Sequence, residues 1–297
     1  MRALVLSDIH ANLEALNAVL AAAAGEWDEL WNLGDMVGYG ASPNEVVERM
    51  RELATLTVRG NHDRVCCGLS PVTNFNPTAR ESAIWTHNAL TEENKEWLRG
   101  LAQGPVFPRA GGAEAVGLEI AAAEMTADEA EELEAGAAGG AEVVGGEALM
   151  TEALVSCAHG SPLDEDDYIL NMRDAWAPLQ EMATAITFVG HTHVQGGFAR
   201  AGREWHEIRP RYGGRGEAET WTLQIRPGTR QLVRHLINPG SVGQPRDHDW
   251  RAAFAVYDSE RCVVEYRRVA YDVRSAQARI LAAGLPERLA ERLREGR

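Results

Sequence analysis

The order of apolar and polar positions divides the stretch from Leu4 to Asp63 into three β-α units. Each unit begins with a short apolar run, passes through a polar turn, and continues into a segment whose apolar residues recur at three and four. Leu4-Val5-Leu6 reads as a buried strand. Leu13, Leu16, Val19 and Leu20 form one face of a helix over 12–24, with Asn12 placed to cap it. Glu29 to Leu33 is a second strand, followed by a helix that Ser42-Pro43 opens and that runs to about Leu53. A third strand is expected over 55–59. Strands and helices in this alternation predict a parallel sheet. All three strands run out into polar turns: Ser7-Asp8-Ile9-His10, Gly34-Asp35 and Gly60-Asn61-His62-Asp63. Those turns share one edge, at the carboxyl ends of the strands, where open α/β sheets place their sites.

The pattern then loosens. Residues 77–101 read as two helices, the second capped at Thr91 with Trp97, Leu98 and Leu101 as its apolar positions, and Gln103 to Arg109 as a strand. From Ala110 to Glu152 the chain is rich in Ala, Gly and Glu, with a capping box at Thr126 to Glu129 and glycine-rich flanks. This is expected to be a solvated insertion. Order resumes with a strand over 153–157 that leads to His159-Gly160, then a helix over 171–183 and a strand over 186–189 that meets Gly190-His191-Thr192-His193. Residues 198–237 suggest antiparallel β structure with a long excursion, followed by a turn-rich loop to Asp247. Strands over 252–257 and 262–269 and helical residues over 273–295 complete a single domain.

Charge narrows the partners. The net charge of −15 argues against nucleic acid or an anionic membrane surface as the main partner. Eleven Asp and Glu with no Lys or Arg fall between Ala110 and Glu152, whereas Ala199 to His235 holds eight Arg against four Glu. These two segments could pair across the site or across an interface between copies of the chain, the latter making a homo-oligomer. No apolar run is long enough to span a bilayer, so no membrane association is expected. The four cysteines, Cys66, Cys67, Cys157 and Cys262, form no Cys-x-x-Cys pair, and the chain opens on a strand without a leader pattern. A reducing, cytoplasmic setting is expected.

The strand ends together supply Asp8, His10, Asp35, Asn61, His159, His191 and His193. This nitrogen and oxygen set, without thiolate, suits manganese, iron, nickel or zinc better than magnesium or calcium. Seven ligands are too many for one ion and suit two ions sharing a carboxylate. Two ions about 3.5–4 Å apart can hold a bridging hydroxide and clamp a phosphoryl group. Each residue also has a plainer reading. His159 alone is a strand-end histidine, and Asn61 a turn residue. His191 and His193 converge only if the strand has ended at Gly190, since alternate residues of a strand share a face but a turn is needed to aim both at one point.

In their order along the chain, Asp8-x-His10, Gly34-Asp35, Gly60-Asn61-His62-Asp63, His159-Gly160 and Gly190-His191-x-His193 resemble the motifs of the calcineurin-like metallophosphoesterase superfamily. The stretches Gly34 to Gly40 and Asn238 to Asp247 resemble its bacterial branch of small phosphodiesterases and phosphatases, the YfcE-like and diadenosine-tetraphosphatase-like proteins. The resemblance covers most of the chain, fails over Ala110 to Glu152 and is loose over Ala199 to His235. It implies a four-layer α/β/β/α sandwich of two mixed sheets. It also implies two divalent ions, manganese foremost: one on Asp8, His10 and His193, the other on Asn61, His159 and His191, with Asp35 bridging. His62 would be the general acid, its cationic form favoured by a nearby carboxylate. A metal-bridging hydroxide would attack phosphorus in line.

Departures from the eukaryotic-type Ser/Thr phosphatases matter. The positions of their histidine-orienting Asp and phosphate-binding Arg are Gly38 and Tyr39 here, and Asp63 stands where they carry Glu. Arg64, or an arginine of the basic excursion, is the candidate replacement cation. The expected activity is hydrolysis of a small phosphodiester or phosphomonoester, with nucleotides included. Hydrolysis of dinucleoside polyphosphates and a non-catalytic protein-binding role are the alternatives. The presence of His62 and of every ligand position favours an enzyme.

Overall fold

The computed structural model describes residues 1–108, 155–213, 216–225 and 233–297. The expected insertion over 110–152, with its capping box at Thr126, lies outside the described residues. The remainder, Met1–Pro108 with Val155–Arg297, is one compact unit.

The three N-terminal units form as their patterns require. Strands β1 (Arg2–Leu6), β2 (Glu29–Asn32) and β3 (Leu56–Thr57) pair in parallel. They are followed by α1 (Leu13–Ala22), α2 (Pro43–Leu53) and the short α3 (Asn61–Cys66). Asn12 caps α1 by accepting the Ala15 N–H at 3.1 Å. Helices α4 (Pro77–Ala89) and α5 (Glu92–Arg99) are capped in the same way by Asn76 and Thr91. No strand forms over 103–108. Val106 makes a single bridge to Cys157, because Pro105 and Pro108 on either side have no N–H to give a ladder.

Two mixed sheets result. The first runs β3-β2-β1-β10-β11-β8, with β8 (Ala218–Gln224), β10 (Ala252–Asp258) and β11 (Val263–Val269) joined antiparallel. The second runs β4-β5-β9-β6-β7. In it β4 (Val155–Cys157), β5 (Ile186–Phe188) and β9 (Val233–Asn238) are parallel, and β6 (Gly196–Ala201) and β7 (Glu204–Ile208) form an antiparallel hairpin.

The strand period of two sorts side chains between layers. On β1, Leu4 and Leu6 pack with the helices, while Ala3 and Val5 face the second sheet. Between the sheets Trp31 meets Phe188 edge-on at 5.9 Å and Tyr257 at 6.1 Å, ring centre to ring centre. Helices α7 (Val273–Ala282) and α8 (Glu287–Glu295) complete the outer layer on the first sheet through Ile280, Leu289 and Leu293. Phe198 and Leu236 on the far face of the second sheet are covered by α6 (Trp176–Glu181) through Leu179. The order is helices, sheet, sheet, helix. No helix among the described residues is long and apolar enough to cross a membrane.

Two expected elements differ. The helix over 171–183 contracts to α6. Asp174 Oδ2 accepts the N–H groups of Leu170 and Asn171, and Asn171 Oδ1 accepts those of Arg173 and Asp174, so side chains compete with the first helical turns. Residues 198–237 are not one antiparallel excursion. The β6–β7 hairpin stays in the second sheet, β8 crosses to the edge of the first, and β9 returns between β5 and β6. The half-buried Trp221 and Leu223 of β8 supply the inward face for that edge position.

One buried histidine in this frame titrates far from the candidate site. On β9, His235 points to the same side as Ile237, between the sheets, and burial pushes its imidazole down to about 4. Its folded-state value lies below the unfolded one, so the unfolded chain binds the extra proton between pH 6.5 and 4. Stability is therefore full above that window and falls as the pH drops through it. The expected loss from this group is about 3 kcal/mol at pH 4. Urea unfolding across this range should show a steeper pH dependence in the wild type than in His235→Asn; equal slopes would exclude the assignment.

Candidate metal centre

The carboxyl ends of β1, β2 and β5 are linked by strained turns. Among the described residues, nine that are not glycine have positive φ, and seven of them are here: Asp8, His10, Ala11, Asp35, Tyr39, His191 and His193. Such backbone costs free energy and persists where its surroundings fix it. The fixing bonds are present. The N–H groups of Asp8, His10 and Ala11 donate to the carbonyls of Gly34, Asp35 and Met36 at 3.0, 2.9 and 2.7 Å, which zips the first turn onto the second. Asp63, fully buried, accepts the N–H groups of Asp35 (2.8 Å), Gly60 (3.1 Å) and Val37 (3.2 Å), and so ties the second turn to the third. Gly60 packs so closely on Asp35 that a Cβ there would overlap its backbone and carboxylate, and a Cβ at Gly190 would overlap the Ser7 hydroxyl.

These turns bring two groups of ligating atoms together, each within 4.8 Å of one another: Asp8, His10 and His193, and Asp35, His159 and His191. In the first, His193 Nε2 lies 3.2 Å from Asp8 Oδ1 and 3.1 Å from His10 Nε2. In the second, His159 Nε2 lies 3.3 Å from Asp35 Oδ2, 3.1 Å from Asn61 Oδ1 and 3.2 Å from His191 Nδ1. Asp35 Oδ2 is also 3.7 Å from His10 Nε2, so this carboxylate stands between the groups. His191 and His193 join different groups. The strand ends at Phe188, and the left-handed backbone at both histidines turns each inward.

The donor set fits divalent ions. In each histidine the ring nitrogen away from the cluster faces a backbone carbonyl: His10 Nδ1 to Val37 at 3.0 Å, His159 Nδ1 to Leu33 at 2.9 Å, His193 Nδ1 to Gln244 at 2.7 Å, and His191 Nε2 to Asp166 at 3.3 Å. A carbonyl only accepts, so these nitrogens carry the proton and the inward nitrogens present lone pairs. Lone pairs facing each other at 3.1–3.2 Å repel unless a cation lies near both. Asp8 Oδ1 is buried without a hydrogen-bond partner among the described residues.

Burial pushes His10 and His193 well below the ordinary imidazole range and His191 down to about 3, which keeps them neutral as ligands must be. Desolvation raises the Asp8 carboxyl to about 6. Against the same desolvation, the surrounding imidazoles, His159 foremost, hold Asp35 well below the carboxylate range.

Three comparisons bear on this centre. Residues 1–261 match the profile of the calcineurin-like phosphoesterase superfamily domain. The chain belongs to that superfamily. An uncharacterized protein of Methanocaldococcus jannaschii is 31% identical over 297 residues, 99% of this chain and 97% of its own. The crystal structure of a metallophosphoesterase from Sphaerobacter thermophilus is 32% identical with a TM-score of 0.70, covering 100% of this chain and 99% of that one. A hypothetical protein of Pyrococcus horikoshii shares the fold at 18% identity and a TM-score of 0.65, over 100% of this chain and 98% of its own.

Within the superfamily frame, the surroundings of His62 depart from what the sequence suggests. Its N–H donates to Asp35 Oδ1 at 2.8 Å, which holds it beside the two groups. Its ring packs among Tyr39 and Phe75, each at 4.5 Å, and His10 at 4.9 Å. Nδ1 is buried with no hydrogen-bond partner among the described residues, and a Cβ on Gly38 would approach it to 2.5 Å, which leaves no room for an orienting carboxylate at that position. Burial outweighs the nearby Asp35 and pushes the imidazole down to about 4. The carboxylate alone does not make it cationic.

Arg64 does not join the centre. It is ion-paired with Glu165 and, at 2.8 Å, with both carboxylate oxygens of Asp166. Arg246 does approach it. Its backbone N–H donates to the His193 carbonyl at 3.1 Å, and its guanidinium lies 5.9 Å from the centre of the Tyr39 ring, which in turn is 4.6 Å from His10. The turn-rich stretch ending at Asp247 contains this arginine, but nothing in local sequence aims it at the site. Tyr168, stacked on His191 at 3.8 Å, follows an aspartate-rich loop and has no sequence signal.

Proposed function

We propose that this chain is a two-metal phosphoesterase acting on small phosphodiesters or phosphomonoesters. The observation that carries the reading is the pair of buried ligand groups with Asp35 between them, every histidine held by a carbonyl with its lone pair inward. Asp8, His10 and His193 would hold one divalent ion, Asn61, His159 and His191 the other, and Asp35 both. Manganese suits this donor set, as iron, nickel and zinc do. Bound there, the ions acidify a coordinated water and draw charge from phosphoryl oxygens.

The chain's own residues supply the rest. His62 stands at the rim of both groups and serves as proton donor to the leaving oxygen. Desolvation keeps it neutral, and the negative charge of an arriving phosphate favours the imidazolium that can donate. Arg246, rather than the ion-paired Arg64, offers the cation for the phosphoryl group. The unpaired thiols of Cys66, Cys67, Cys157 and Cys262 support a cytoplasmic setting.

The test is hydrolysis of bis-p-nitrophenyl phosphate and p-nitrophenyl phosphate by chelator-stripped protein before and after manganese is restored. Turnover of at least one ester that appears only with the ion is expected, and the ratio of the two assigns diester or monoester preference. No turnover of either ester, with two ions per chain measured by plasma spectrometry, would overturn this reading in favour of a non-catalytic binding role.

A further inference from the structure

Arg246 is not the only guanidinium beside Tyr39. Arg292, in the last turn of α8, lies 5.8 Å from the centre of the same ring, so two cations from distant parts of the chain share one aromatic side chain. Tyr39 is buried, and its ring lies 4.6 Å from His10 and 4.5 Å from His62. The pair of arginines is therefore joined to the ligand groups through one ring.

Neither guanidinium is ion-paired with a carboxylate side chain among the described residues. Arg246 donates from one amino group to Gln244 Oε1 at 3.2 Å, and its Nε is buried with no partner among the described residues. Arg292 donates from Nε to a backbone oxygen of Arg297 at 2.6 Å. By contrast, Arg2, Arg51, Arg99, Arg251, Arg267 and Arg268 each meet an Asp or Glu, while Arg59, Arg80, Arg200 and Arg234 donate to backbone carbonyls. Burial and the like charges of Arg246 and Arg288 hold the Arg292 guanidinium below its usual value. Half-buried cations that repel one another are costly unless an anion joins them.

Arg292 also lies outside the stretch that the superfamily profile matches. The superfamily profile ends at residue 261, and α8 begins at Glu287. The common metal core does not require a cation from this helix.

We propose that Arg292, with Tyr39 and Arg246, binds a second anionic group of the substrate. The preferred substrate is then a phosphate ester that carries another phosphate or a carboxylate near the phosphoryl group under attack. This rests on the two-metal reading, since that reading places the phosphoryl group beside His10 and His62. Arg246 lies between the two anions, and Arg292 engages the outer one with the donors that Arg297 leaves free.

Calorimetric titration of the full, manganese-loaded chain with methylphosphonate and methylenediphosphonate separates the two anions without hydrolysis. The diphosphonate is expected to bind about 30-fold more tightly than the monophosphonate, and Arg292→Gln to cut that preference about tenfold. Arg294→Gln removes the same charge from an exposed position on the same helix and is expected to keep the preference. An unchanged preference in Arg292→Gln, or an equal fall in Arg294→Gln, would overturn the subsite. A wild type that hydrolyses bis-p-nitrophenyl phosphate with manganese but shows no preference loses only the subsite. A wild type with no ester turnover loses the two-metal reading itself.

Discussion

Asp35→Asn is expected to lower manganese-dependent hydrolysis of bis-p-nitrophenyl phosphate by about 10³-fold or more, with bound manganese falling from two ions per chain to one or none. The size follows from position. Asp35 Oδ2 lies 3.3 Å from His159 Nε2 and 3.7 Å from His10 Nε2, so one carboxylate supplies negative charge to both ligand groups. Asparagine keeps the shape but not the charge. Its side-chain oxygen can still accept the His62 N–H, which Asp35 Oδ1 accepts at 2.8 Å, so the turn should remain folded. Metal analysis and thermal melting belong beside the rate. Two retained ions with activity within about tenfold of wild type would exclude Asp35 as the shared ligand.

His62→Ala is expected to lower kcat by about 10²–10⁴-fold while both ions stay bound. The decisive readout is the leaving group. p-Nitrophenolate departs with little help, whereas phenolate needs a proton as its bond to phosphorus breaks. A general acid at position 62 predicts a larger loss on phenyl than on p-nitrophenyl esters. Equal losses on the two esters, or loss of metal, would make His62 a packing residue instead. Its ring contacts with Tyr39, Phe75 and His10 make that alternative worth the experiment.

Much of this molecule is legible along the chain. The three N-terminal βα units follow from short-range rules: Leu4 to Leu6 repeat as a strand, Leu13 to Leu20 as a helix, and Asn12 and Thr91 stop the chain where their side chains satisfy a free N–H. Polar turns at strand ends share an edge because parallel strands point the same way. Placing Asp8, His10, Asp35 and Asn61 on one edge therefore needs no tertiary information.

Where competing local chemistry exists, pattern misleads. Residues 171–183 have helical spacing, yet Asn171 and Asp174 satisfy the backbone without a helix there. Gln103 to Pro108 is apolar enough for a strand, but its prolines cannot sustain a ladder. The passage of β8 to the first sheet is a choice between two edges with similar apolar faces, and only the packed partner separates them.

The sequence by itself determined the chemical inventory: that strand tips carry carboxylates, imidazoles and an amide without thiolate, and that His62 follows one of them. Only the tertiary structure decided how these are shared out. The Leu33 carbonyl that sets the His159 tautomer is 126 positions away, and His10 meets His193 across 183. Left-handed turns at His191 and His193 send neighbouring histidines to different groups. The same folding pairs Arg64 with Glu165 and Asp166 and brings Arg246 and Arg292 to one tyrosine. The physical reason is range. Periodicity and capping act within a few residues, whereas desolvation, ion pairing and the meeting of lone pairs depend on whatever the finished fold places alongside.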